Sequence, residues 1–80
     1  MKGKLVEISW LDADGEAGWS KYNPKEKLVL VKTFGILVDK TDQVVVHADS
    51  FCHESGMWSG LGRIPRGMVK KIRIIATVDL

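Results

Sequence analysis

The sequence predicts an all-β fold, a small and strongly bent antiparallel barrel of five strands in which residues 1–80 form one domain. Three observations lead there. Apolar residues recur at every second position, as in "KLVEISW" (4–10), where Val6, Ile8 and Trp10 share one side and Leu5, Glu7 and Ser9 the other. The apolar runs are rich in β-branched residues and bounded by turn residues rather than by helix caps. Gly35 falls in the middle of the longest run, where a missing side chain permits the sharp bend that a tight barrel needs.

Taken in order, residues 4–10 form the first strand. "LDADGEAGWSKYNPKEK" follows, a long loop with Gly15, Gly18 and Pro24, in which Trp19 and Tyr22 are expected to anchor the loop onto the body. "LVLVKTFGILV" (28–38) is apolar on both faces; one face belongs to the core and the other is free to meet a partner subunit. "DKTD" (39–42) is a polar turn, so "QVVVHADSFC" (43–52) returns antiparallel, with Val44, Val46 and Ala48 on one side and Val45, His47 and Asp49 on the other. "HESGMWSG" (53–60) is a loop or hairpin tip. "LGRI" (61–64) is a short strand ended by Pro65, and "PRGM" makes a one-turn connector. "VKKIRIIATV" (69–78) closes the fold, with Ile72, Ile74 and Ala76 opposite Lys71, Arg73 and Ile75.

An 80-residue chain buries only about 60–65% of the surface its unfolded form exposes, so it is marginal as a monomer. Cys52 is the single cysteine, which excludes an internal disulfide, and there is no Cys-x-x-Cys pair. Self-association is the remaining supplement, and an oligomer is expected. The lone thiol and the lack of an apolar export segment point to the cytoplasm. No run approaches a membrane span, and no cofactor is implied.

Charge is unevenly placed. Residues 1–54 carry seven Lys/Arg against nine Asp/Glu and residues 55–80 five against one, so −2 and +4 make the net +2. Arg63, Arg66, Lys70, Lys71 and Arg73 lie in an acid-free stretch, which reads either as an anion-binding face or as a solvated edge kept soluble by its charges.

The candidates for chemistry are few. His47, Cys52 and His53 match no zinc spacing, and nothing supplies the orienting group and oxyanion donor that a cysteine nucleophile needs. The chain is not read as an enzyme. Cys52 is expected to be buried and structural; His47, outward beside a turn, has a ring that could stack on a base. Asp12, Asp14 and Glu16 resemble the start of a calcium loop without its remaining ligands. Trp58 reads as a lid on the barrel end or as an interaction anchor. In "IPRGMV", Pro65 ends a strand and Gly67 supplies a turn that a side chain would obstruct. Arg66 between them is held in a set direction, and a guanidinium so held can stack on a base and contact phosphate.

Ile64-Pro65-Arg66-Gly67-Met68-Val69, then Ile72, resembles the second motif of Sm-like proteins, the bacterial Hfq-type relatives included. Gly35-Ile36-Leu37, Asp42, Val44-Val45-Val46 and Asp49 are similar to the first motif, and the likeness covers residues 28–75 in element order. Val45 and Val46 stand where Sm proteins carry a base-contacting Asn, and the N-terminal helix of the family is absent. The whole chain is also similar to short phage proteins, those of marine cyanophages among them, through "ISWLDA…GW" and "IPRGMV". The resemblance implies an Sm-like barrel that joins its sisters in a homo-oligomeric ring by edge-strand pairing. It further implies sequence-tolerant binding of single-stranded RNA, in a role during phage infection, at Arg66 and Gly67 with His47, Asp42 and Lys70 beside them. A Src-homology-3-type barrel has a similar layout, but Tyr22 is the only tyrosine where a peptide groove needs a pair. The alternative function is a phage structural or adaptor protein that docks another protein through Trp58 and the apolar face of residues 28–38.

Overall fold

Strand β1 (Lys2–Asp12) carries its alternation through to the packing: Val6 and Ile8 are fully buried and Glu7 between them is not. The computed structural model describes residues 1–12, 18–25 and 27–80. After β1 come β2 (Val29–Lys40), β3 (Val44–Ala48), β4 (Ser50–Phe51), β5 (Trp58–Ser59) and β6 (Gly62–Pro65). A single 3-10 turn, Arg66–Met68, then leads into β7 (Val69–Asp79). The fold is all-β among the described residues. Five strands form one antiparallel sheet in the order β6-β3-β2-β1-β7, and β4 and β5 form a separate two-stranded hairpin.

The expected strand at 43–52 therefore divides. At Asp49 the chain leaves the sheet: its N–H donates to the Ser59 carbonyl at 3.0 Å, and Phe51 packs on Trp58 with ring centroids 4.6 Å apart. An aromatic pair at that separation adds about 0.5–1.5 kcal/mol beyond area burial, which supports the two-residue hairpin. Trp58 is thus half-buried on its own hairpin.

The expected closure into a barrel is not present in the isolated chain. β6 pairs only with β3 and β7 only with β1, so the sheet ends in two open edges. The reason lies in lengths: β6 has four residues, and the three-residue turn carries the chain across to β1 rather than back along β6. The radius of gyration, 15.8 Å, exceeds the roughly 12 Å of a compact chain of this length.

Val6, Ile8, Val45 and Ile64 make the core, with Trp10, Leu37, Met68, Val69 and Ile72 packed against it. Each fully buried aliphatic side chain contributes about 1.5–3 kcal/mol, so stability is concentrated on very few residues. The indole N–H of Trp10 donates to the Thr33 hydroxyl at 2.9 Å, which satisfies the one polar atom that the ring brings in.

Three residues have no partner across their ladders: Val38 between β2 and β3, and Lys70 and Ile75 between β7 and β1. Such an extra residue bends its strand and increases its twist. On β3 each face has a fully buried residue, Val45 on one and Ala48 on the other. Val45 is buried in the core, and His47, on the same face, lies opposite Leu37 and Gly62. The ring of His47 is therefore turned to the core side, not outward. Gly35 matters through a close approach: a Cβ there would stand 2.8 Å from the Ala48 carbonyl oxygen. The end of β3 can cross over β2 only because that position is empty.

Trp19 and Tyr22 do not anchor the long loop. They are 105% and 88% exposed, respectively.

Candidate nucleic-acid interface

The turn between β2 and β3 is built by Thr41. Its hydroxyl accepts the N–H groups of Gln43 and Val44 at 3.1 and 3.0 Å, while its own N–H donates to the Val44 carbonyl at 2.9 Å. Threonine can do this because a β-hydroxyl reaches backbone donors two and three residues on. The result projects Asp42 into solvent at the tip and directs the Gln43 carbonyl sideways. That carbonyl accepts the Arg66 N–H at 2.8 Å. Asp42, Arg66 and Gly67 are thereby gathered at one end of the β3–β6 ladder, although Asp42 and Arg66 come from turns well separated in sequence.

Arg66 is half-buried, and its Nη1 is shielded from solvent without a hydrogen-bond partner. A buried donor left unmade costs about 1–3 kcal/mol, more when it is charged. A phosphate or a base edge that the side chain meets by swinging outward would remove that cost. Gly67 has a different part from the one expected. It is not in the left-handed region, and a Cβ built there meets nothing within 4 Å. Neither backbone strain nor crowding requires glycine.

Lys70 is the unpaired residue of the bulge between Val69 and Lys71, exposed and two residues beyond the 3-10 turn. Among the described residues Arg63, Arg66, Lys70 and Lys71 have no carboxylate partner. Arg73 is different. Its Nη2 donates to Glu7 Oε2 at 2.7 Å, and Lys32 Nζ lies 3.5 Å from Glu7 Oε1. The Arg73 hydrogen bond, helped by the two nearby positive charges and opposed by partial desolvation, holds the Glu7 carboxyl below its usual range. Arg73 thus belongs to a surface ion cluster and is not a free cation for steering.

His47 does not join the Arg66 end. It lies opposite Gly62, whereas Val44 lies opposite Pro65, so roughly 10 Å of strand separates the two levels. Its Nδ1 is buried without a partner, and its ring covers Gly62 so closely that a Cβ there would stand 2.5 Å from Nε2. The ring's role is packing at the far end of the ladder.

Cys52 is exposed rather than buried. Its thiol is held below the usual cysteine range, chiefly by the Ser55 hydroxyl and then by the backbone N–H groups of Ser55 and Glu54. A serine three residues beyond a cysteine, before Gly56, was the sequence signal for this turn. The exposed His53 has Nδ1 3.2 Å from the Leu80 carbonyl oxygen. Among the described residues no three His, Cys, Asp or Glu side chains come together as a metal site. Of the calcium-like acids, Asp14 and Glu16 lie outside the described residues. Among the described residues no helix is long and apolar enough to cross a membrane.

No family model, curated protein or solved structure matches this chain.

The exposure of the aromatic residues at 19 and 22 runs against residue type, since tryptophan is usually covered. The signal for it is the lack of any aliphatic residue between Gly18 and Lys27 that could form a contact patch with them.

Proposed function

We propose that this chain is an Sm-like subunit that closes into a homo-oligomeric ring and binds single-stranded RNA with little sequence preference. Two features support the ring. The sheet order leaves β6 and β7 as opposite open edges, and a four-residue edge on one copy can extend the β7 edge of the next by backbone hydrogen bonds. Such head-to-tail contacts close into rings when the rotation between copies permits. The observation that carries RNA binding is Arg66: its backbone is fixed to the Gln43 carbonyl while one guanidinium nitrogen lacks an acceptor. Repetition around a ring would turn one modest contact into a circle of them. Asp42 flanks this position and Lys70 adds charge nearby; His47 has no contact role in this reading.

Size-exclusion chromatography with light scattering, with and without a short uridine- or adenine-rich RNA, tests both parts. The expected result is an oligomer that shifts with RNA. Arg66→Ala should keep the oligomer and weaken binding, and binding should fall steeply as salt rises. A monomer that ignores RNA removes the proposal.

A protein-docking adaptor is the second reading. It is favoured by Leu28, Val29, Leu30 and Phe34, all exposed on or beside the first half of β2. An oligomer indifferent to RNA, and unchanged by Arg66→Ala, supports that reading instead.

A further inference from the structure

We infer that Trp19 to Lys25 form a second contact for single-stranded nucleic acid, with Trp19 and Tyr22 stacking on bases and Lys21 and Lys25 meeting phosphates. The inference shares its ligand class with the proposed function but uses neither Arg66 nor the ring.

Both aromatic side chains stand free of the protein body, 105% and 88% exposed. Each forgoes roughly 150–250 Å² of burial that an aromatic ring ordinarily gains. Lys21 lies between them and Lys25 follows, both exposed, with no carboxylate partner among the described residues. Asn23 Oδ1 accepts the Lys25 N–H at 3.0 Å and turns the chain around Pro24, which limits the conformations of the cluster before any ligand arrives. Three residues of chain reach at most about 10 Å, so the two rings can serve nearby nucleotides of one strand.

The composition selects the partner. An interfacial membrane segment combines aromatic residues with leucine or other aliphatics on one face, and an apolar protein pocket is filled by the same groups. Between Gly18 and Lys25 there is no aliphatic side chain. Flat π faces alternating with cations match a strand whose bases stack and whose backbone is anionic. Such contacts tolerate any sequence, since every base offers a face.

Fluorescence anisotropy of a labelled uridine oligomer of about a dozen nucleotides, titrated with the full chain, tests this. Trp19→Ala with Tyr22→Ala should weaken binding at least about tenfold, whereas Trp19→Phe with Tyr22→Phe should retain most of it. Lys21→Gln with Lys25→Gln should lower the salt slope by about 1.4, which is about 0.7 for each phosphate no longer neutralised. These side chains are exposed, so circular dichroism should show every variant folded. Should Arg66→Ala abolish binding while the paired alanine variant leaves it intact, the inference fails and the proposed function stands. The reverse result upholds the inference and removes Arg66 from the site. A wild-type chain that ignores the oligomer but binds phosphatidylserine-rich vesicles overturns both.

Discussion

Among the described residues β2 pairs with β1 from Val29 to Ile36 and with β3 from Ile36 to Lys40, so each half has one partner strand and Ile36 alone has both. Both halves are built from the same kinds of side chain. In the second half Leu37 packs against the core, while in the first half Leu30 and Phe34 are each 55% exposed. Composition is therefore not what buries a residue here; contact with the small core is. A half-strand with one open edge and apolar groups on both faces is one that proteins normally cover, because it otherwise templates unwanted pairing.

The largest test of this contrast replaces one leucine-sized side chain in the core and one in the exposed half of β2. Ile8→Ala, at a fully buried site, should cost about 2–5 kcal/mol in urea unfolding, a large part of the stability of so small a chain. Leu30→Ala should change it by less than about 0.5 kcal/mol. A Leu30→Ala loss that approaches that of Ile8→Ala and grows with protein concentration would show that a sister copy covers the first half of β2.

Gly35 marks the boundary between the halves. Gly35→Ala places a methyl group against the Ala48 carbonyl, which is backbone and cannot swing away, so a loss of about 1–3 kcal/mol is expected. Gly62→Ala meets the His47 ring instead, a side chain that can rotate. It should cost less, and adding His47→Ala should recover most of that loss, as a double-mutant cycle would reveal. If His47→Ala brings no recovery, the ring does not cover Gly62.

The smallest expected effect is at the surface. Glu7 titrates below its ordinary value of 4.5 because Arg73 hydrogen-bonds it. A lowered folded pKa means that its contribution is present above about pH 4.5 and is lost as pH falls through the folded value. Glu7→Gln should flatten the acid side of the stability profile and leave neutral stability close to wild type. An unchanged acid limb would mean that the Arg73 contact is not kept in solution.

Much of the fold was legible because period-two alternation is a local property. β1, β2, β6, the connector at Arg66–Met68 and β7 follow from the strand patterns and from Pro65, and the turn after β2 follows from its polar residues. What could not be read are features set by register. The bulge at Val38 has no mark in the sequence, yet the strand that pairs beside it presents Val45 and His47 to the core. The division of residues 43–52 at Asp49 depends on Phe51 finding Trp58, a pairing across a turn that alternation alone does not reveal. At the candidate site, the nearness of the Asp42 turn to Arg66 depends on a backbone hydrogen bond to Gln43. The exposure of Trp19, Tyr22 and Cys52 reflects the small extent of the core, which residue type overstates.

The two ends of the chain meet: Lys2 lies across from Asp79, and the Leu80 N–H donates to the Met1 carbonyl at 2.9 Å. The second edge of β1 is thus paired by a strand that lies far along the sequence. Until β7 has been synthesised, β1 has only β2 beside it and its other edge stays open. Bringing such distant segments together is slow, since loop closure precedes any reward from contacts. During translation the nascent chain would thus leave that edge of β1 unpaired until β7 follows, and a chaperone shielding it would raise the yield of folded protein more than one acting after β7 has paired.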